Sequence, residues 1–318
     1  MQKKRRWTMK LNIYQLLSEH FVANHFIRIG ENKNICLYVG KDEIGRYSFD
    51  FRGRFKVSRI NSSDVIQVSH LTCGDEKFLR FSLENPSLLE YFCTFCEDLI
   101  LSTNAICDDD TAYQTLKARY FSWKQLFRPN HGNLTDSEIM GLIGELLFLR
   151  DNLIPQKGVE NALECWTGPE KTHKDFSFGD DWYEVKSISF GKDSVRISSI
   201  EQLDGTNEGF LIVYFLERMS PSFNGIKLNK LVDELISLFQ PSHLKDLFLA
   251  KLNLYGFDFS PENDNLVYDL RGEKIYKVCD PNFPRLKREC LPEAIIKAQY
   301  ELILSEIEIF RVSILNNK

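Results

Sequence analysis

Asp175, Glu184 and Lys186 are the residues whose types and spacing could do chemistry. They stand in the runs His173-Lys174-Asp175-Phe176 and Trp182-Tyr183-Glu184-Val185-Lys186, shortly after Trp166-Thr167-Gly168-Pro169. Successive side chains of a strand point to opposite faces, so Glu184 and Lys186 share one face while Val185 turns toward a core. Phe176 and Phe178 alternate in the same way with Asp175 and Ser177. The turn chemistry of Gly179-Asp180-Asp181 predicts an antiparallel hairpin that brings Asp175 beside Glu184. Two carboxylates can hold Mg²⁺, which takes oxygen ligands and is usually bound by one or two carboxylates plus a substrate phosphate. A lysine beside them can help to deprotonate a water and stabilise charge developing on that phosphate. The bland alternative is a solvated strand face with a surface ion pair. Glu31-Asn32-Lys33 repeats the Glu-x-Lys spacing with no acid hairpin before it.

The elements that must position these residues begin with a helix. Thr135 followed three residues later by Glu138 is a capping-box signature. Ile139, Leu142, Ile143, Leu146, Leu147 and Leu149 form the apolar stripe that follows. Glu145 lies at the edge of this stripe, either as a boundary residue or as a third acid. Gly141 and Gly144 in a helix interior cost about 1 kcal/mol each relative to alanine, which predicts close passage against another backbone. Downstream, Gly209 to Glu217 is a nearly continuous apolar run suited to a strand buried on both faces of a mixed sheet. Helices are expected from Leu228 to Phe239 and from His243 to Leu254. A hairpin is expected from Leu266–Arg271 and Lys274–Val278 across Gly272-Glu273, and a terminal strand, with an end helix as the alternative, from Tyr300 to Ile314.

Gly-Leu-Ile-Gly-Glu-Leu-Leu around Glu145, Cys165-Trp166-Thr167-Gly168-Pro169, His173-Lys174-Asp175-Phe176, Glu184-Val185-Lys186-Ser187 and Val195 to Leu203 occur in order over residues 135–205. This order resembles a prokaryotic family of PD-(D/E)XK proteins found among phage-defence genes, within the restriction-endonuclease-like phosphodiesterase superfamily. The literal Pro-Asp of the superfamily signature is replaced here by Lys174-Asp175. The resemblance implies an active centre of Glu145, Asp175, Glu184 and Lys186. Asp175 and Glu184 would hold Mg²⁺ (or Mn²⁺), Glu145 would support it directly or through water, and Lys186 would aid the nucleophile. Lys174, Arg196, Ser198 and Gln202 become candidate substrate contacts, against the plainer reading of Ser198-Ser199 as helix-capping serines. The implied activity is hydrolysis of phosphodiester bonds, with DNA expected over RNA, in a restriction or anti-phage system. An ATPase, helicase or methyltransferase from a defence operon is a candidate partner, and a homodimer a candidate assembly. The rival reading is a catalytically silent nucleic-acid-binding or scaffold subunit of a defence complex.

Before this region the chain reads as a small β-rich domain. Strand-like runs at Phe26–Ile29, Ile35–Val39, Tyr47–Phe51, Val65–Leu71 and Phe78–Leu83, separated by turn residues, predict a meander. A helix-like pattern precedes them from Leu11 to Ala23, and the basic run Lys3 to Arg6 reads as a disordered tip. A helix opens at Asn85-Pro86, where proline's missing N–H costs nothing. A second follows the cap-like Asp108-Asp109-Asp110. The predicted architecture is α+β: a β-rich N-terminal domain over 1–104, and a restriction-endonuclease-like domain with a central mixed sheet flanked by helices over 105–318.

Composition sets the outer bounds. With 318 residues, 43% of them hydrophobic and 24 of them Phe, the chain can bury ample core. It has no apolar run of membrane-spanning length and no signal-like apolar stretch after its first basic residues, so a cytoplasmic protein is expected. Eight scattered cysteines suit reduced thiols, and Cys93 and Cys96 fall inside an apolar helix pattern, as core thiols would. The net charge of −5 does not suggest a protein that passively coats nucleic acid. Positive charge gathers instead at Lys171, His173, Lys174, Lys186, Lys192 and Arg196 around the acid hairpin, and at Arg285, Lys287 and Arg288. No internal repeat, Walker loop or Rossmann fingerprint is present.

Overall fold

A computed structural model describes residues 12–19, 22–127, 134–170, 172–179, 181–205, 207–240 and 242–312. The basic run Lys3 to Arg6, parts of the Leu11–Ala23 helix, Lys171, Asp180 of the predicted turn, and the end of the predicted terminal strand lie outside the described residues. The chain divides into two compact units, 1–129 and 130–318.

The first unit opens with α1 (Ile13–Glu19), followed by β1 (His25–Ile29), β2 (Cys36–Lys41), β3 (Tyr47–Gly53), β4 (Ile66–Cys73) and β5 (Glu76–Leu83). All five strands form one antiparallel sheet, and every predicted strand is present. The order is β1-β2-β3-β5-β4, so the predicted meander is corrected at its end: β5, and not β4, pairs with β3. The long connection between β3 and β4 allows this detour. Its Phe55 stacks on Phe51 at 5.0 Å and on Tyr113 at 4.5 Å, which anchors the loop to the core. Asn85 caps a short 3₁₀ turn at Pro86 that leads into α2 (Leu89–Thr103), where Cys93 and Cys96 are buried. Asp108 accepts a hydrogen bond from the Thr111 amide and starts α3 (Asp109–Lys124). Tyr113, Leu116, Tyr120 and Trp123 of α3 are buried, and the Trp123 indole donates to Asp98 of α2. These contacts draw α3 into the first unit, whereas the sequence-based boundary at 104/105 assigns it to the second.

In the second unit the capping box of Thr135 and Glu138 is formed in full, and it starts α4 (Asp136–Phe148). The helix widens through a π-turn at Leu149–Leu153 into α5 (Ile154–Lys157), and α6 (Val159–Cys165) follows. Then come β6 (Phe176–Phe178), β7 (Asp181–Ser189), β8 (Ser194–Ile197), β9 (Gly209–Met219), α7 (Leu228–Leu238), α8 (Ser242–Tyr255), β10 (Val267–Lys277), β11 (Tyr300–Ile303) and β12 (Arg311–Val312). The central sheet runs β12-β10-β9-β7-β6. β7 and β9 are parallel and the other pairs antiparallel, which is the mixed sheet expected. The predicted hairpin across Gly272-Glu273 is instead one strand, β10, paired along β9 with a bulge between Leu270 and Gly272. The glycine marks that bulge and not a chain reversal. β11 takes the start of the predicted terminal strand and pairs with β8 in a separate two-stranded ribbon. On one side of the central sheet, Phe148 of α4 packs edge-on against Phe176 at 5.2 Å and tilted against Tyr183 at 5.3 Å. On the other, Trp182 and Ile188 of β7 join Val195, Ile197, Leu203 and Leu302 in a buried cluster.

Candidate active site

The predicted hairpin forms: Phe176 pairs with Tyr183 and Phe178 with Asp181. Asp175 stands one residue before β6, and its Oδ2 accepts a hydrogen bond from the Val185 amide at 2.7 Å. The loop Thr167-Gly168 fixes the same acid from behind, because the amides of both residues donate to the Asp175 carbonyl at 2.9 and 2.8 Å. Asp175 is thus tied by its side chain to the strand that carries Glu184 and Lys186. Lys186 Nζ donates to Glu184 Oε1 at 2.6 Å. A solvated strand face would leave these groups open to water. Glu184 is instead 0% exposed and the Lys186 side chain 17%. Glu31 and Lys33, the second Glu-x-Lys, are exposed in the connection between β1 and β2.

Glu145 is buried on α4 and held by two partners. Trp166 Nε1 donates to its Oε2 at 2.7 Å, and the Tyr255 hydroxyl of α8 donates to its Oε1 at 3.2 Å. Lys251, also on α8, donates to the Trp166 carbonyl and, at 2.9 Å, to Glu170, which secures the tryptophan. A Cβ added at Gly168 would lie 2.7 Å from Glu145 Oε2 and 3.5 Å from Asp175 Oδ1, so the glycine keeps a gap open beside both acids. One residue earlier on α4, a Cβ at Gly144 would meet Ser187 Oγ of β7 at 2.0 Å, so this glycine does mark a close approach. Gly141 does not, since its nearest neighbour would be the Tyr255 hydroxyl at 3.6 Å. The expectation of backbone contact is corrected on both counts, for Gly144 meets a side chain and Gly141 has room.

The electrostatics follow from burial of like charges. Burial first, and then the neighbouring Asp175, push the Glu184 carboxyl up to about 8, and the Lys186 ammonium offsets only part of this. Burial and Asp175 also raise Glu145 well above the ordinary carboxylate range, against the two hydrogen bonds from Trp166 and Tyr255. Asp175 is raised by burial, while Lys186, the Val185 amide and Lys174 pull it back. Lys186 is raised: burial disfavours its charge, but Glu184 and Asp175 more than compensate, so the ammonium is retained. Glu184 Oε2 is buried with no hydrogen-bonding partner.

The oxygen-only donor set of Asp175 and Glu184, the unpartnered Oε2 and the gap kept by Gly168 fit a small, hard divalent cation carried by two carboxylates. Among the described residues no group of three or more His, Cys, Asp or Glu side chains is arranged to hold a metal ion. Both Glu145 oxygens are already engaged by Trp166 and Tyr255.

The other predicted contacts are placed as follows. Lys174 donates to the Gln202 and Asp204 carbonyls at 2.8 and 2.9 Å and lies 3.4 Å from the centroid of the Trp182 ring. Burial lowers its ammonium to about 8. The Gln202 side chain accepts from the Ser198 amide at 2.7 Å, which closes their own turn. Arg196 is exposed on β8 and donates to Gln299. Arg288, from the second basic group, donates to the Ile295 and Ile296 carbonyls and to Glu201. Tyr255 and the role of Gly168 had no signal in the local sequence, because the tyrosine reaches Glu145 across 110 positions.

A family model described as "Putative PD-(D/E)XK family member, (DUF4420)" matches residues 11–305. No curated protein and no solved structure matches the chain. No helix among the described residues is long and apolar enough to cross a membrane.

Proposed function

Because the chain belongs to this DUF4420 family of PD-(D/E)XK proteins, we propose that it is a divalent-metal-dependent nuclease whose active centre is Asp175, Glu184 and Lys186. Family membership by itself supports hydrolase activity at the level of the superfamily. The observation that carries the finer reading is the buried Glu184 carboxylate, with one oxygen on Lys186, the other unpartnered, and Asp175 near enough for its charge to raise it. Asp175 and Glu184 would hold Mg²⁺ or Mn²⁺, which when bound supplies Lewis-acid charge at the scissile phosphate. Lys186 keeps its ammonium and faces the negative charge that builds on the phosphate as the bond breaks. Glu145 acts as a positioning residue: held by Trp166 and Tyr255, with burial and Asp175 raising its carboxyl, it shapes the gap behind Asp175. DNA as substrate, an antiviral role and an ATPase, helicase or methyltransferase partner belong to the same proposal and rest on the family resemblance.

One observation favours a second reading. Both Glu145 oxygens are engaged within the fold, and no three-acid group stands ready for a metal among the described residues. A catalytically silent nucleic-acid-binding or scaffold subunit would tolerate that arrangement. Cleavage of supercoiled plasmid in Mg²⁺ and Mn²⁺ separates the two. The wild-type chain should nick or linearise the plasmid and stop in EDTA. Lys186→Ala should lose roughly 100-fold or more, as removal of one preorganised charge-stabilising group does. Equal cleavage by wild type and Lys186→Ala would remove the assignment, and no cleavage by wild type favours the silent reading.

A further inference from the structure

The turn at Ile200–Gln202 and the segment leading to β11 close over the face of β7 that carries Glu184. Lys174 seats its ammonium on the Gln202 and Asp204 carbonyls, and Arg285 Nη1 donates to the intervening Leu203 carbonyl at 2.7 Å. Three consecutive carbonyls therefore hold two cations side by side. Lys174 also lies over Trp182, two residues before Glu184 on the same face of its strand. Tyr300 packs its ring against the buried cluster that contains Trp182. Its hydroxyl is buried without a hydrogen-bond partner, while the Leu286 backbone beside it favours the ionised phenol, as a donor near the oxygen would. Arg285 Nε is buried and unpartnered too, as is Glu184 Oε2.

Buried polar atoms in native proteins are nearly always paired by protein, ordered water or a bound ion, and one anion can pair both Arg285 Nε and the Tyr300 hydroxyl, whose side chains interact. The spot combines two cations with a hydroxyl donor, and the charges of Glu184, Arg285 and Asp204 all reach Tyr300. An anion seated there would satisfy Arg285 Nε and the Tyr300 hydroxyl and relieve the repulsion between Lys174 and Arg285. We propose that Lys174, Arg285 and Tyr300 form a seat for a backbone phosphate of nucleic acid, neighbouring the phosphate cleaved at Glu184. The proposal rests on the phosphodiesterase reading of that site. A seat of this kind fixes the register of the strand and carries no sequence preference, since phosphate contacts position while base contacts specify.

The test uses the full chain in EDTA, so that binding is read without cleavage. Fluorescence anisotropy follows a labelled DNA duplex, and a parallel melting experiment titrates inorganic phosphate. Tyr300→Phe and Arg285→Lys should each weaken DNA binding about ten-fold, the scale of a lost hydrogen bond to a charged group. Tyr300→Phe should at the same time melt no lower than wild type, because it removes a hydroxyl that has no partner. Unchanged DNA affinity in both variants overturns the seat, and so does a clear loss of melting temperature in Tyr300→Phe, which would mean that the hydroxyl is bonded within the fold. If wild type ignores DNA but is stabilised by phosphate, and Tyr300→Phe is not, the seat stands and the nucleic-acid reading falls. If DNA binding responds to both variants while plasmid is never cut, the seat again stands and the hydrolase reading falls.

Discussion

Glu184 keeps one oxygen on the Lys186 ammonium and leaves the other without a partner, and burial beside Asp175 raises its carboxyl to about 8. A carboxyl raised in the folded state binds more protons folded than unfolded, so its contribution to stability is present at low pH and is lost as pH rises. The window runs from the ordinary carboxylate value of 4.5 up to about 8. In EDTA the wild-type chain should therefore melt progressively lower across that window, and Glu184→Gln should flatten this part of the profile. Parallel wild-type and Glu184→Gln curves from pH 5 to pH 8 would show that Glu184 titrates normally and is not buried as described. At this scale the sequence was informative where the period of a strand decides which side chains meet. Asp175, Glu184 and Lys186 come together because alternation and a short hairpin leave them little choice. Tyr255 and Trp166 reach Glu145 through the packing of α8 and of the loop before β6, and no local pattern encodes such a contact.

Two glycines one turn apart on α4 separate local propensity from packing. Gly141 has only the Tyr255 hydroxyl near its missing Cβ, at 3.6 Å, so Gly141→Ala should gain most of the ~1 kcal/mol that alanine brings to a helix interior. Gly144 faces Ser187 Oγ at 2.0 Å, so Gly144→Ala must displace that serine or lift α4 from β7. Overpacking of this kind costs about 1–3 kcal/mol, which cancels or exceeds the propensity gain. Urea denaturation should rank Gly141→Ala above wild type and Gly144→Ala at or below it. The double variant with Ser187→Ala should recover stability, because the Ser187 Cβ itself would lie 3.4 Å away. Equal gains from both alanines would refute the close approach of helix and strand. The elements themselves were largely legible: the capping box, the five strands of the first unit and the central strand β9 all carry local signals. Pairing order was not, because the connection between β3 and β4 is long enough for either β4 or β5 to lie beside β3. Likewise, Gly272 looks the same in sequence whether it turns a hairpin or marks a bulge in β10.

Across the whole molecule, the site residues all belong to the unit 130–318. The α+β architecture expected from the sequence is the one observed, while the division into units depends on α3, whose buried Tyr113, Tyr120 and Trp123 make it part of the first unit's core. The proposed function requires Asp175 and Glu184 to form a divalent-cation site. The most direct measurement is the melting temperature of the full chain in EDTA and in Mg²⁺, for wild type, Asp175→Asn and Lys186→Ala. At ~10 mM Mg²⁺ and a dissociation constant of ~1 mM, binding to the folded state contributes about 1.4 kcal/mol, an upward shift of a few degrees at most. Wild type and Lys186→Ala should both show this shift. Asp175→Asn should lose it while melting no lower than wild type in EDTA, since it removes a repelling charge together with a ligand. Asp175→Asn melting like wild type with and without Mg²⁺ would contradict the account.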